Sequence, residues 1–192
     1  FGPSDNTDPI ERLFIQWGFS QVFPAKTMCA HVTTWNKNSS VKFRTDVAMM
    51  CKLGFDIKLA DMSKDDETYC RTAVQNYNRL KPVVLEGDMY RLVSPYGSNH
   101  TSTMYVGKDK DKAAVFAFDI HPRYAVKILP VRLQGLDADK MYRVKEINLM
   151  PGANSSLSGN GEVFSGEFLM NVGLNLFTAQ QLNSRVIEVV AE

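Results

Sequence analysis

Two carboxylates near the start of the chain, Asp5 and Asp8, are the first side chains whose type and position could support acid–base chemistry. Asp8 also has a structural task, because it directly precedes Pro9 and therefore fits the N-cap of a helix. Asp5 has no such task and lies in a polar loop just ahead of that helix. Barrel enzymes place catalytic carboxyl groups on loops at the ends of strands. The alternative for Asp5 is an ordinary turn residue.

Two further side chains, His31 and Trp35, could face a substrate. A nucleophile pair between His31 and the nearby Cys29 is not expected, because the partners of such a pair come from different segments of a chain. We therefore interpret His31 as a hydrogen-bonded residue that is either structural or shapes a substrate site. Trp35 is a platform on which a sugar ring stacks, a lid residue, or a partly buried anchor of its loop.

The spacing of the histidines and cysteines predicts neither a metal site nor a cofactor site. His100 and His121 lack the close spacing of a metal-binding pair. Cysteine occurs three times, an odd number, and no two cysteines are spaced as in a zinc site. A disulfide framework is not expected either.

The elements that would position these residues change in character at about residue 88. Before it, helices are predicted at residues 10–17, at about 45–53 and from Ser63 to near Pro82 or Gly87, and short strands at 21–25 and 55–59. This alternation is typical of an α/β unit. Two short strands would leave exposed sheet edges. The chain also begins without Met, so we expect it to be a piece of a longer polypeptide.

After residue 88 the pattern is one of short apolar runs separated by turn residues, which predicts an antiparallel β-sandwich. The predicted strands are residues 89–93, 102–106, 114–118, 124–129, 142–147, 164–169, 174–177 and 185–189. The sequence therefore predicts an α+β chain, with an α/β unit at 1–87 and a sandwich at 88–192.

Composition narrows the classes of partner. The chain has 192 residues, with 22 Lys and Arg against 21 Asp and Glu. A chain with this charge balance does not have the excess of basic residues expected of a protein that binds nucleic acid or an anionic membrane. No apolar run approaches the roughly 18 residues of a membrane-spanning helix. The sequence assigns no compartment and leaves the oligomeric state open, a homo-oligomer included.

Residues 4–18, with the sequence SDNTDPIERLFIQWG, resemble the end of the catalytic barrel in family 36 glycoside hydrolases, the α-galactosidases or melibiases. Two further landmarks of that family follow in order, CAHV at residues 29–32 and RTDVAM at residues 44–49. Residues 133–137 and 165–170 resemble its C-terminal β-domain. The resemblance covers nearly the whole chain.

The resemblance implies that residues 1–87 are the last βα elements of a TIM-type (β/α)8 barrel and that residues 88–192 are a C-terminal antiparallel β-sandwich. It also implies retaining hydrolysis of terminal α-galactosides, in sugars or oligosaccharides, by two carboxyl groups about 5–5.5 Å apart. The family's acid/base residue falls on Asp5, with Asp8 as the fallback. Its nucleophile belongs to an earlier Lys-Trp-Asp motif that does not occur here, so we expect the chain alone to be inactive.

A non-catalytic carbohydrate-binding or accessory β-sandwich module is the alternative. Aromatic side chains exposed on one face of the sandwich would favour it, and Tyr96, Tyr105 and Tyr124 are the candidates. A sandwich that only packs against the barrel is compatible with the first reading.

Overall fold

Three α-helices and a two-stranded parallel sheet form the described part of the first half of the chain. The structure is a computed structural model that describes residues 2–35, 38–123 and 127–192. The elements of this half are α1 (Pro9–Phe19), a 3-10 helix (Ala25–Thr27), β1 (Cys29–Thr33), α2 (Val41–Ala48), β2 (Lys52–Asp56), a second 3-10 helix (Leu59–Asp61) and α3 (Lys64–Glu86). β1 and β2 pair in parallel, with a helix between them in sequence, as in an α/β unit.

Side-chain caps determine where the helices begin. Asp8 Oδ1 accepts hydrogen bonds of 3.0 Å from two backbone N–H groups in the first turn of α1. Ser63 Oγ accepts one of 3.1 Å at the start of α3. Both starts agree with the predicted ones. α2 begins earlier than predicted, because Ser40 caps it with a hydrogen bond of 3.1 Å, and its last residue is Ala48.

The strands of the first half lie elsewhere than predicted. Residues 21–25 are not a strand but a turn that leads into the first 3-10 helix, and Pro24 precedes that helix directly. The strand that pairs with β2 is β1, a segment that the sequence analysis left unassigned. β2 itself occupies Lys52–Asp56 rather than residues 55–59.

The described residues of the second half form a six-stranded antiparallel sheet. Its elements are β3 (Asp88–Val93), β4 (His100–Val106), β5 (Lys112–Asp119), β6 (Met141–Ile147), β7 (Val163–Ser165), α4 (Gly166–Asn171) and β8 (Asn183–Ala191). The order of strands across the sheet is β3-β4-β5-β8-β6-β7. The last strand in sequence therefore lies in the middle of the sheet, between β5 and β6.

The predicted α+β class and the antiparallel sheet are both observed, but the described strands do not form two facing sheets. Residues 174–177 contribute only a single bridge, between Leu174 and Val131, and residues 166–171 form a helix. The predicted strand at 124–129 lies partly outside the described residues, and 127–129 is not a strand. Loops and α4 cover the second face of the sheet in place of a second sheet, with Leu133, Leu157 and Leu169 in that core.

The two halves share a hydrophobic core. Alternate residues of β5 point to opposite faces of the sheet, and Phe116 and Phe118 point toward the helices. The Phe118 ring meets that of Phe43 in α2 edge to face, with 5.6 Å between the ring centres. The sheet thus packs directly on the helical half. Among the described residues, no helix is long and apolar enough to cross a membrane.

Candidate functional site

An open cleft of about 210 Å³ lies between the loop before α1 and one face of β1. Its lining includes Asp5, His31 and Trp35, so the structure brings together three of the four residues proposed from sequence. Asp8 does not line the cleft, and its carboxylate is occupied in capping α1. Asp8 is therefore the weaker candidate for acid–base chemistry.

The alternation of β1 accounts for the side chains that reach this cleft. Ala30 and Val32 are buried in the core with the helices, whereas Cys29, His31 and Thr33 line the cleft. His31 is opposite Gly54 of β2. A Cβ on Gly54 would lie 2.6 Å from Cδ2 of the His31 ring. Glycine at this position therefore lets the imidazole lie over β2.

Arg12 holds the Asp5 loop from one side, a role that the sequence analysis missed. Its side chain is buried, and Nη1 donates to the carbonyl oxygen of Ser4 at 3.0 Å. Nη2 donates to the carbonyl oxygen of Cys29 at 2.8 Å. Burial lowers the pKa of the Arg12 guanidinium, but an arginine remains charged in proteins. The one feature of the sequence that could have indicated a buried Arg12 is its place directly before Leu13, a residue on the apolar face of α1.

Thr7 holds the same loop from the other side. Trp35 Nε1 donates to Thr7 Oγ1 at 3.0 Å, and Thr33 Oγ1 donates to the same oxygen at 3.2 Å. The Trp35 side chain is otherwise exposed, with a relative accessibility of 67%. An indole tethered by its N–H but open to solvent retains its apolar face for a ligand. The partly buried anchor predicted for Trp35 is therefore wrong in its burial, although the hydrogen bond to Thr7 does tie the side chain to the loop.

Asp56, at the end of β2, is the second carboxylate in the lining of the cleft. It is opposite Thr33 in the register of the two strands. Asp56 was not a candidate from the sequence, because the strand predicted at residues 55–59 does not end at this residue. Among the described residues, no group of three or more His, Cys, Asp or Glu side chains could hold a metal ion. The cleft combines two carboxylates, an imidazole and an indole, a set suited to bind a polyhydroxylated ligand and transfer a proton.

Two of the three aromatic residues named for a binding module lie in the described part of the chain, and those two do not share an exposed sheet face. Tyr105 is buried at 1% accessibility, and its hydroxyl donates to the carbonyl oxygen of Met50 at 2.7 Å. Tyr96 is exposed, but it lies in the loop after β3 and packs edge to face on Phe14 of α1. Tyr124 lies outside the described residues. Tyr105 was therefore a wrong candidate, since the strand that carries it is buried on both faces.

Cysteine reactivity tests the burial pattern around the cleft. Cys29 is partly exposed in the cleft, whereas burial raises the pKa of Cys51 to about 12 and that of Cys70 to about 11. The thiolate is the reactive form of cysteine. We expect iodoacetamide at pH 8 to modify Cys29 in the native chain and to leave the other two thiols intact. Peptide mass spectrometry would follow each site, with Cys29→Ser as the control. Fast modification of Cys51 would contradict the structure.

Comparison with known proteins places both halves of the chain in one family. The Melibiase family model matches residues 2–87, and the model of the glycosyl hydrolase family 36 C-terminal domain matches residues 100–189. The chain is 34% identical over 190 residues to alpha-galactosidase 2 of Hypocrea jecorina. The match covers 96% of this chain and 24% of that protein. It is 30% identical over 161 residues to alpha-galactosidase AgaA of Geobacillus stearothermophilus. That match covers 81% of this chain and 22% of AgaA.

Solved structures agree with the sequence matches. The GH36 alpha-galactosidase AgaB of Geobacillus stearothermophilus has a TM-score of 0.85 at 28% identity, covering 99% of this chain and 25% of that one. A variant of AgaA in complex with raffinose has a TM-score of 0.84 at 27% identity, and the match covers 98% of this chain and 25% of the AgaA chain. The chain thus spans about a quarter of the length of its relatives. Because the two family models between them match most of its residues, the chain belongs to glycosyl hydrolase family 36.

Proposed function

We propose that this chain provides the last barrel elements and the C-terminal β-domain of a retaining α-galactosidase, with Asp5 as the acid/base residue. The observation that carries the proposal is the exposed Asp5 in a cleft along one face of parallel strand β1, together with His31 and Trp35. Residues 1–87 would be the barrel part and residues 88–192 the β-domain. The relatives support the activity, since they are named alpha-galactosidases.

The geometry of β1 and β2 supports a place in a barrel. The two strands are parallel, and the helices cover one face of them through side chains such as Ala30 and Val32. The other face carries cleft-lining side chains. In a (β/α)8 barrel, helices cover the outside of the strands and the active site lies at their carboxyl ends. Asp56 ends β2 and Trp35 follows β1, so both lie at that end.

In the proposed reaction, Asp5 first acts as a general acid. It would protonate the glycosidic oxygen as the bond to the leaving sugar breaks, and would then take a proton from the attacking water. Trp35 would stack on the apolar face of the sugar, and His31 would hydrogen-bond to its hydroxyl groups. The substrate class would be terminal α-galactosides, since AgaA variants were solved in complex with raffinose and with stachyose.

The covalent half of a retaining mechanism needs a nucleophilic carboxylate about 5–5.5 Å from the acid/base group. The family motif that would carry it, Lys-Trp-Asp, does not occur in these 192 residues. We therefore propose that the nucleophile lies on a barrel strand upstream of them. That arrangement is compatible with a chain that spans about a quarter of its relatives.

The test compares two polypeptides on 4-nitrophenyl α-galactoside. The coding sequence upstream of residue 1 is expected to contain a Lys-Trp-Asp motif, and the polypeptide that includes it should release nitrophenol. The 192-residue chain alone should release none above background, because it lacks the motif that carries the family's nucleophilic carboxylate, and a double displacement needs that group. Turnover by the isolated chain would contradict the upstream nucleophile. An inactive longer polypeptide would contradict the α-galactosidase proposal itself.

A further inference from the structure

We propose that Thr7 is a positioning residue that couples the acid/base loop to the indole of Trp35. This inference rests on the proposed function. The hydroxyl oxygen of Thr7 accepts hydrogen bonds from Trp35 Nε1 at 3.0 Å and from Thr33 Oγ1 at 3.2 Å. One oxygen therefore joins the loop before α1, the last residue of β1 and the loop after β1.

The hydrogen bonds of the loop explain how Thr7 can influence Asp5. The Asn6 N–H donates to Ser4 Oγ at 3.1 Å, and the Asp8 N–H donates to Asn6 Oδ1 at 2.8 Å. These turns make the loop a short, internally bonded segment around Asp5. A shift of Thr7 would therefore be transmitted to Asp5, two residues away.

Two anchors hold this segment to β1, and they differ in what they reach. Arg12 bonds the carbonyl oxygens of Ser4 and Cys29, at the buried side of the loop. Thr7 bonds Trp35, whose indole is exposed and lines the cleft. Of these two anchors between described residues, the second joins the proposed proton donor to the proposed sugar platform. Thr7 would thus fix the distance between the group that transfers the proton and the surface that holds the sugar.

The substitution that tests this coupling is Thr7→Val, which keeps the shape of the side chain and removes the acceptor. In the longer α-galactosidase polypeptide, we expect kcat/KM on raffinose to fall about 10- to 100-fold, because a displacement of about 1 Å at a reacting group costs on that order. The loss should be smaller on 4-nitrophenyl α-galactoside, whose leaving group needs little protonation. Thr7→Ser should restore most of the activity. Thr72→Val, on the exposed surface of α3, is the matched control.

A double-mutant cycle separates coupling from a general loss of structure. Trp35→Phe removes the same hydrogen bond from the other side, so Thr7→Val should add little to its effect on kcat/KM. Fully additive effects would overturn the inference. An equal loss on both substrates would also overturn it, since that indicates a structural role without an effect on proton transfer.

A readout on the 192-residue chain does not depend on activity. The chain has two tryptophans, so the indole N–H signals of Trp17 and Trp35 can be followed separately by NMR. Thr7→Val should speed hydrogen exchange at Trp35 and leave Trp17 unchanged. No change at Trp35 would overturn the coupling. A wild-type longer polypeptide without α-galactosidase activity would instead refute the proposed function, which is a distinct result.

Discussion

Asp5→Asn in the proposed longer α-galactosidase polypeptide is expected to lower kcat on raffinose by about 10²- to 10⁴-fold, the usual contribution of a positioned general acid or base. Asn retains the size of the side chain but cannot transfer a proton. The leaving sugar of raffinose is a poor leaving group, so cleavage depends on protonation of the glycosidic oxygen. The cleft position of Asp5 and its exposed carboxylate are what make this role available.

The dependence on the leaving group makes the prediction specific. With 4-nitrophenyl α-galactoside the first step needs little protonation, and the loss in kcat/KM should be much smaller than with raffinose. Steady-state kinetics on both substrates would measure the difference. An equal loss on both would argue against an acid/base role for Asp5.

Asp8→Asn is the matched control for this experiment. Asp8 caps α1 through Oδ1, and Asn caps helices about as well as Asp. The variant should therefore keep both its fold and its activity. If Asp8→Asn were inactive and Asp5→Asn active, the fallback assignment of the acid/base residue would be the right one.

Local signals in the sequence were sufficient for the helix starts. Asp8 and Ser63 cap α1 and α3 as predicted, because a cap depends on a few neighbouring residues. β1 could not be predicted in the same way. A strand forms only with a partner, and that partner, β2, is separated from it by a loop and α2. The place of β8 between β5 and β6 likewise depends on contacts distant in sequence.

In the cleft, too, local sequence indicated some residues, and contacts between distant segments determined others. Asp5, His31 and Trp35 were each candidates by residue type and local context, and the structure brings them together. Arg12 was missed because its function is to bond two carbonyl oxygens that are far apart in sequence, those of Ser4 and Cys29. A pattern of hydrophobic residues indicates which face of α1 is buried, but it does not indicate what a buried guanidinium contacts.

The largest effect on stability is expected at Asp46, which joins the two halves of the chain. This carboxylate is fully buried. Within the helical half it accepts hydrogen bonds from Lys42 Nζ at 2.5 Å and from the Tyr69 hydroxyl at 2.9 Å. From the second half it accepts one from Ser184 Oγ of β8 at 2.7 Å and one from Asn148 Nδ2 at 3.0 Å. Four donors from both halves thus converge on a single side chain.

Asp46→Ala should lower the free energy of unfolding by about 3–5 kcal/mol, the usual cost of breaking a buried ion pair by removal of one partner. The Lys42 side chain is mostly buried and would lose its counter-ion. Urea denaturation of the 192-residue chain, followed by circular dichroism, would measure the change. Asp61→Ala, at an exposed position, is the control and should change the stability by less than about 0.5 kcal/mol.

The shape of the unfolding transition shows whether the two halves of the chain unfold together. Because the core and the Asp46 hydrogen bonds cross between the halves, the wild-type chain should unfold in one cooperative step. Loss of the Asp46 carboxylate should shift the midpoint of that step to lower urea. A loss of less than about 1 kcal/mol in Asp46→Ala would show that the junction contributes little. Two separate wild-type transitions would show that the halves are independent, and the sheet would then not support the cleft that holds Asp5.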